Sequence, residues 1–423
     1  MDNQLNVNLK VIKAKVPKTC VCPSCGKEQP FKSGGRYLVK LKDLNLDNPA
    51  VLIVEKIRAK CLNPVCKTNR FVLPMPGLEK YQRCTLRVKE EAINKNVLEN
   101  VTYPRAASAL IRSFNVTGSK SSIDRWKQRE AEKYSFKDII ARLKFSGILC
   151  IDEYKPKRSR HYDSIATDAL KPHILYLESN LLSPRHAGTI SRGNILRFCY
   201  RLKEFGINPW AILVDLLKAY PKQLRKVWPG VKIQFDYFHV MQKIHFLLKK
   251  LLFGYAHRLK KSGSLKGEEL WENRWRILKN MENWVPTDHR VNSQFMEIYE
   301  DTLIEKIFLI KEWLHNIFDL STTKEEAYNK RDLFFKEPWI KDFWHFRQIV
   351  KFLGDANFQY MTTYLEDNRI PRWSNIETLT RTWRQMEKVR YGFKSEKGRQ
   401  NHLKLYQIKH YLKDEFGQNS GKL

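Results

Sequence analysis

Acidic side chains are the scarce charge in this sequence: 423 residues carry 45 Asp and Glu against 77 Lys and Arg, a formal net charge of +32. That shortage excludes a charge-balanced surface and points to a phosphate-rich partner, bound with strong salt dependence. Long apolar runs are missing as well. The opening stretch MDNQLNVNLKVIKAKVPK has no apolar segment of signal-peptide length, and the most apolar helical stretch, Phe246 to Tyr255, is broken by Lys249 and Lys250. The expectation is a cytosolic protein with no membrane association. No Ser or Tyr constellation suited to a covalent intermediate stands out. A hydrophobic content of 42% is still enough to bury a large core, in roughly two to four compact units.

Cysteine is rare outside the first fifth of the chain, where Cys20, Cys22, Cys25, Cys61, Cys66 and Cys84 fall. In a cytosolic setting these are thiols or metal ligands rather than disulfides. CVCPSCGK contains the Cys22-x2-Cys25 knuckle, and KCLNPVCK supplies Cys61-x4-Cys66. Four thiolates in two tight turns suit a structural Zn²⁺, with Tyr37 to Leu41 and Val51 to Ile57 as strands of a zinc ribbon. Cys20 is an alternative to Cys22, while Cys84, Cys150 and Cys199 are assigned to packing.

From Leu86 to Glu132 the apolar spacing is helical in three short segments, RVKEEAINKNVLEN, YPRAASALIRSFN and SSIDRWKQREAEK. The second and third flank the turn NVTGSKSS. Ile123 and Trp126 can anchor the third segment while Lys120, Arg125, Lys127 and Arg129 face outward, the layout of a helix-turn-helix that reads a major groove. A small basic three-helix linker would show the same pattern.

After Lys144 the period shortens to that of strands. GILCIDE, YDSIATDAL and HILYLES read as a three-strand meander, followed by a helix from Asn194 to Phe205, the strand PWAILVD, a helix from Tyr220 to Trp228, the strand VKIQFD and a long helix. This βββ-α-β-α-β-α order resembles the ribonuclease H-like fold, which implies that the first and fourth strands are neighbours. Two of these strands end in acid, at Asp152 and Asp215. Side by side the carboxylates repel unless a divalent cation lies between them, and hard oxygen ligands favour Mg²⁺ (or Mn²⁺), the ions of in-line phosphoryl transfer. Asp236 also ends a strand, and His239 can join it; either touches metal or Asp236 caps the following helix, and a supporting role is favoured. Asp168 and Glu153 read as exposed bystanders.

Between Val240 and Ile370 strand signals vanish. Helices are expected over Met241 to Lys260, Gly267 to Trp284, Asn292 to Phe318 and Glu325 to Leu365. Trp271, Trp275, Trp284, Trp313, Trp339 and Trp344 read as the core of a helical insertion rather than as base-stacking platforms. The basic side chains Lys243, Lys249, Lys250, Arg258, Lys260 and Lys261 suit a DNA path or simply a solvated face.

Taken with CPSCG, CLNPVC, IDE, VDLLKAYPKQL, FDYFHVMQKI and RWSNIETLTRTWRQMEKVRYGFKS, the chain resembles the ISL3 family of DDE transposases over nearly its whole length. The resemblance implies a multidomain α/β protein: a zinc-binding domain (1–80), a helix-turn-helix (81–134), a ribonuclease H-like core (135–239), an all-α insertion (240–370), and the last helices of the core with a basic tail (371–423). It implies Asp152, Asp215 and Glu377 as catalytic, magnesium-holding acids. Arg381, Arg384 and Lys388 on the helix after Glu377 would contact phosphate. The family usually follows that Glu with Gly-Phe/Leu-Asn-Asn, where this chain has Thr378-Leu379-Thr380. The implied activity is metal-dependent cleavage and strand transfer at terminal inverted repeats and target double-stranded DNA, by a homo-oligomer, a dimer on paired ends, in a prokaryotic, nucleoid-associated cytoplasmic setting. The alternatives are a DNA-binding regulator that has lost catalysis and a nuclease that cuts without joining.

Overall fold

The structure is a computed structural model that describes residues 9–44, 51–74, 84–114, 116, 118–156, 162–179, 192–263, 265–279, 283–298, 303–390, 392–393 and 395–413. Asn115 and Thr117 of the expected turn, Tyr391 of the YGF motif and the end of the basic tail lie outside the described residues. The chain divides into two compact units, Met1–Leu143 with Thr382–Leu423, and Lys144–Arg381.

The first unit opens with β1 (Leu9–Ile12), the hairpin β2 (Thr19–Val21) and β3 (Glu28–Pro30), then β4 (Ser33–Lys42), β5 (Val51–Lys60) and β6 (Arg70–Val72). β4 and β5 pair antiparallel along their lengths, and β1 and β6 share the other edge of β5. Both expected ribbon strands lie in this pair. Three helices follow, α1 (Leu86–Val97), α2 (Tyr103–Phe114) and α3 (Lys120–Glu132), then α4 (Phe136–Leu143). Ala92, Ala106, Ala107, Leu110 and Ile123 form one buried cluster, with Trp126 packed on it, and the Ser119 hydroxyl caps α3 by accepting from the Ser122 amide. The small alanines let α1 and α2 approach closely, as their spacing requires.

The second unit is built on β7 (Ile148–Tyr154), β8 (Asp163–Asp168), β9 (Ile174–Ser179), α5 (Arg192–Glu204), β10 (Ala211–Val214), α6 (Ala219–Val227) and β11 (Lys232–Phe235). The strand order is β11-β10-β7-β8-β9. β7, β8 and β9 are the antiparallel meander, whereas β7, β10 and β11 run parallel, joined by helices as parallel neighbours must be. Gly147, at φ +90°, starts β7 beneath Trp210; an added Cβ would lie 2.7 Å from the indole, so only glycine lets β10 begin so close to β7. The open edge of β11 is covered: Gln234 donates to the Met361 carbonyl and accepts from the Tyr364 amide, and Thr363 donates to the Ile233 carbonyl.

From β11 the chain enters helices only: α7 (Tyr237–Lys261), α8 (Leu265–Leu278), α9 (Pro286–Ile298), α10 (Leu303–Phe318), α11 (Lys324–Phe335), α12 (Trp344–Phe352) and α13 (Asp355–Met361). The helix expected over Glu325 to Leu365 is thus divided, by a short 3-10 turn opening at Pro338 and by Gly354 capping α13. Asn292 to Phe318 likewise falls in two helices. The tryptophans are not a sealed core: Trp275 and Trp344 are 54% and 55% exposed, while Trp313 and Trp339 pack against Phe334 and Phe346. Indole area is large enough to straddle the boundary between core and solvent.

α14 (Ile376–Val389) and α15 (Glu396–Tyr406) follow, and a π-helical turn (Gln407–Tyr411) comes at the end of the described chain. The segment 371–423 was expected to stay with the core; from Thr382 on it groups with the first unit. Its packing there explains why. His402 Nδ1 lies 3.0 Å from Lys127 Nζ, Arg390 donates to Asn100 Oδ1 at 2.7 Å, and Trp383 is fully buried.

Two more expectations are corrected by burial. Asp168 is not exposed but fully buried, accepting from the Ser146 amide and hydroxyl and from the Leu170 and Lys171 amides. Glu153 is half-buried and accepts from the hydroxyl of the fully buried Tyr220. We expect Asp168→Ala to lower stability by about 2 to 3 kcal/mol in urea unfolding of the full chain, since four donors lose a charged acceptor at once.

Candidate functional site

The thiols gather first. The Sγ atoms of Cys22, Cys25, Cys61 and Cys66 all lie within 4.8 Å of one another, with Cys22 to Cys66 at 3.9 Å and Cys25 to Cys61 at 3.8 Å. The β2–β3 hairpin presents the first pair and the turn after β5 the second. Cys20 is buried outside the group, which removes the alternative to Cys22, and Cys84, Cys150 and Cys199 are buried in packing. The Lys27 backbone amide, helped by neighbouring thiols, draws the Cys25 thiol down to about 6. For Cys61 the Asn63 amide favours the thiolate, but desolvation and the other three sulfurs outweigh it and push the thiol up to about 12. Four sulfurs at this spacing ionise together only around a cation, and their number and softness fit a tetrahedral one.

In the second unit the sheet register does the equivalent work with oxygen. Ile151 pairs with Val214, and Val214 with Phe235, across three parallel strands. The next residue of each is a carboxylate, Asp152, Asp215 and Asp236, so three acids stand in a row at the strands' carboxyl ends. A pocket opens there, lined by Ile151, Asp152, Leu213, Val214, Asp215, Asp236, His239, Ser374 and Ile376. Asp152, Asp215 and His239 each offer a ligand atom, and these lie within 4.8 Å of one another.

Burial pushes the Asp152 carboxyl up to about 6, with Asp215 and Asp236 adding to the rise while the Glu153 amide and His239 oppose it. Its neighbour Glu153 is pushed up to about 8, again by burial first, against the hydrogen bond from Tyr220. Buried carboxyls crowded in this way fit a small divalent cation, which would offset both the desolvation that chiefly keeps those protons on and the smaller repulsion between neighbours.

Asp236 is held apart from that group by its own bonds. One oxygen accepts from the Phe238 amide at 2.9 Å, capping α7, and the other accepts from the Ser374 hydroxyl and amide. Asn375 then fastens the next step of the chain, donating to the Asp168 and Lys171 carbonyls at 3.0 Å each. Ser374 and Asn375 thus anchor the start of α14 to the sheet. Both lie in the RWSNIE stretch, where the signal for this role is two short hydrogen-bonding side chains directly before a helix.

Glu377 stands in the first turn of α14, directly after the pocket residue Ile376, but it is exposed and outside the three-residue group. On the same helix Arg381, Arg384 and Lys388 are exposed. In the first unit Lys120, Arg125 and Arg129 are exposed on α3, whereas Lys127 is 2% exposed. Lys127 is therefore no outward-facing side chain: burial, then the Arg390 guanidinium, holds its ammonium well below the usual lysine range.

Residues 149–401 match the family model described as transposase, that of the ISL3 DDE type, and the chain therefore belongs to the ISL3 transposase family. Comparison with curated proteins gives no match. Membership makes an insertion-sequence transposase the general function, with DNA as substrate and a divalent metal implied. No helix among the described residues is long and apolar enough to cross a membrane.

The four-thiol cluster is expected to take up about one equivalent of Co²⁺ with tetrahedral thiolate absorption bands. Cys25→Ser should lose those bands and Cys20→Ser keep them; equal spectra from the two would show that the cluster is not the site.

Proposed function

We propose that the protein cuts and joins DNA at the terminal inverted repeats of its element, using Asp152, Asp215 and Glu377 on a ribonuclease H-like core. The observation that carries this reading is the parallel pairing of β7 with β10, whose register brings Asp152 and Asp215 to one pocket. The strand order β11-β10-β7-β8-β9 supports the core assignment, since it has the first and fourth strands of the unit side by side. Asp152 and Asp215 hold Mg²⁺ or Mn²⁺, and Glu377 joins them from the first turn of α14, whose start is fixed by Ser374 and Asn375. When bound, the metal supplies activation of the attacking oxygen and stabilisation of the leaving one in an in-line displacement. The residues themselves position: the carboxylates fix where the scissile phosphate docks, and Arg381, Arg384 and Lys388 neutralise flanking phosphates. First water opens a phosphodiester to leave a 3′-OH and a 5′-phosphate, and the same pocket then directs that 3′-OH at a target phosphodiester, joining to its phosphorus and releasing the target strand's own 3′-OH.

For the flanking parts the same proposal keeps the boundaries expected from sequence up to residue 370 and divides the last segment, 371–423, at Thr382. Residues 1–80 form a zinc-binding domain, with Zn²⁺ on the four thiolates, and 81–134 a helix-turn-helix that reads the inverted repeats. Residues 240–370 are a helical insertion along the DNA path, and 371–381 carry the third acid. Two copies act on paired ends, in a nucleoid-associated cytoplasmic setting.

A second reading, a DNA-binding regulator without catalysis, draws on Glu377 lying outside the ligand group and on Thr378 to Thr380 following it. Cleavage assays separate the two. Asp152→Asn and Asp215→Asn are expected to lower strand cleavage by at least about a thousandfold while binding to the ends persists, because each keeps volume and removes the metal-holding charge. Glu377→Gln should do the same. A wild-type protein that binds ends without divalent-dependent cleavage would support the regulator, and cutting without 3′-end joining would support a simple nuclease.

End recognition makes its own prediction, on α3. Lys120→Ala and Arg125→Ala should each flatten the logarithmic salt dependence of binding by about one unit if they hold phosphate. Lys127→Met should leave the slope unchanged, because a buried side chain releases no counterion from DNA. A changed slope for Lys127→Met with both others silent would place recognition on another surface.

A further inference from the structure

The pocket contains one donor that an all-carboxylate centre does not use. Building on the divalent-metal reading above, we propose that His239 is a direct nitrogen ligand of the ion held by Asp152 and Asp215, and that it tilts the site from Mg²⁺ towards Mn²⁺.

Geometry carries this. His239 offers a ring nitrogen within 4.8 Å of a carboxylate oxygen of both Asp152 and Asp215, and its Nδ1 lies 3.6 Å from Asp215 Oδ1. That separation is too long for a good hydrogen bond. It does suit two donors on one ion, which sit roughly 3 to 3.6 Å apart when each is roughly 2.1 Å from the metal. The ring is also aimed. Asp236 caps α7, the His239 amide donates to the Asp236 carbonyl at 3.1 Å, and the Phe238 ring stands edge-on at 5.4 Å, so the imidazole leaves the first turn of α7 from a fixed backbone.

The other candidates for a third donor are each accounted for. Asp236 has both oxygens engaged, by the Phe238 amide and by Ser374. Glu377 lies outside the group and would add to it as a further oxygen donor. Among the described residues, His239 is the donor that completes a three-residue group with the two acids.

The chemistry of the donor then sets the preference. Mg²⁺ favours an oxygen shell and sheds water reluctantly, whereas Mn²⁺ and later first-row ions accept imidazole readily. A nitrogen beside two carboxylates weakens the discrimination that an all-oxygen site would give to Mg²⁺.

Mn²⁺ bound to the full-length wild-type protein, examined by pulsed electron paramagnetic resonance, should show coupling to a directly bound imidazole ¹⁴N. In His239→Gln that coupling should vanish and Mn²⁺ affinity fall by about tenfold or more, with a smaller loss for Mg²⁺. His239→Glu, which offers oxygen at similar reach, should restore divalent binding but favour Mg²⁺. Mn²⁺ whose binding depends on Asp152 but shows no ¹⁴N coupling in the wild type would overturn the proposal and leave the two-carboxylate reading standing; His239 would then only pair with Asp215. Mn²⁺ binding indifferent to Asp152→Asn would instead overturn the underlying reading, and this inference with it.

Discussion

Parallel pairing of β7 with β10 is the constraint on which the candidate site depends. It places two strand-end carboxylates within 4.8 Å of each other, an arrangement no chain adopts for stability. Two unit charges at that distance repel by on the order of 3 to 4 kcal/mol at an effective dielectric near 20. Burial first, and then this repulsion, holds a proton on Asp152 up to about 6. The strain is local, because the strands behind the acids are among the most thoroughly buried of the unit: Ile148, Leu149, Ile212 and Leu213 are at most 1% exposed. Apolar burial of the sheet offsets a site that the acids alone would push apart.

The second constraint concerns how a long helical insertion can leave that sheet and return without disturbing it. It departs at Asp236 and comes back at Arg372 to Ser374, and the two ends are bonded to each other: the Tyr237 amide donates to the Arg372 carbonyl at 3.0 Å, and Ser374 donates to Asp236 across 138 residues. Closing a loop of that length costs little more than closing one half as long, about 0.6 kcal/mol per doubling. What must be paid locally is orientation, and Asp236 and Asn375 supply it. A carboxylate that resembles a metal ligand in sequence thus acts at this join, keeping the first turn of α14 beside the pocket.

Much of this was legible in the sequence because it rests on local signals. Short apolar runs that end in acid marked β7, β10 and β11, and paired cysteines in turn-forming contexts marked the thiol cluster. The features that escaped are those decided by distant packing. Asp168 looks like any polar strand end until Ser146, Leu170 and Lys171 fold around it, and Lys127 looks like one more basic residue on a basic helix until His402, 275 positions away, meets it. Helix ends inside the insertion were blurred for a related reason, since helical periodicity runs through Pro338 and Gly354 although the backbone turns there.

The burial of Lys127 has a wider meaning for a chain with so large a positive excess. The first unit encloses three basic side chains together, Lys127, His402 and Arg390. His402 is held well below the usual histidine range by burial and then by Lys127, and Arg390 is lowered to about 10 by burial. Three charges could not share that interior. Two of them can relinquish their protons, and Arg390, which cannot do so readily, keeps a direct partner in Asn100. With Lys127 and His402 uncharged, the cluster keeps a single buried cation, Arg390, and serves to fasten α15 to α3 through the Lys127–His402 contact. Lys120 and Arg125 remain exposed on the outer face of α3, so the same helix divides its basic residues between the interior and the surface.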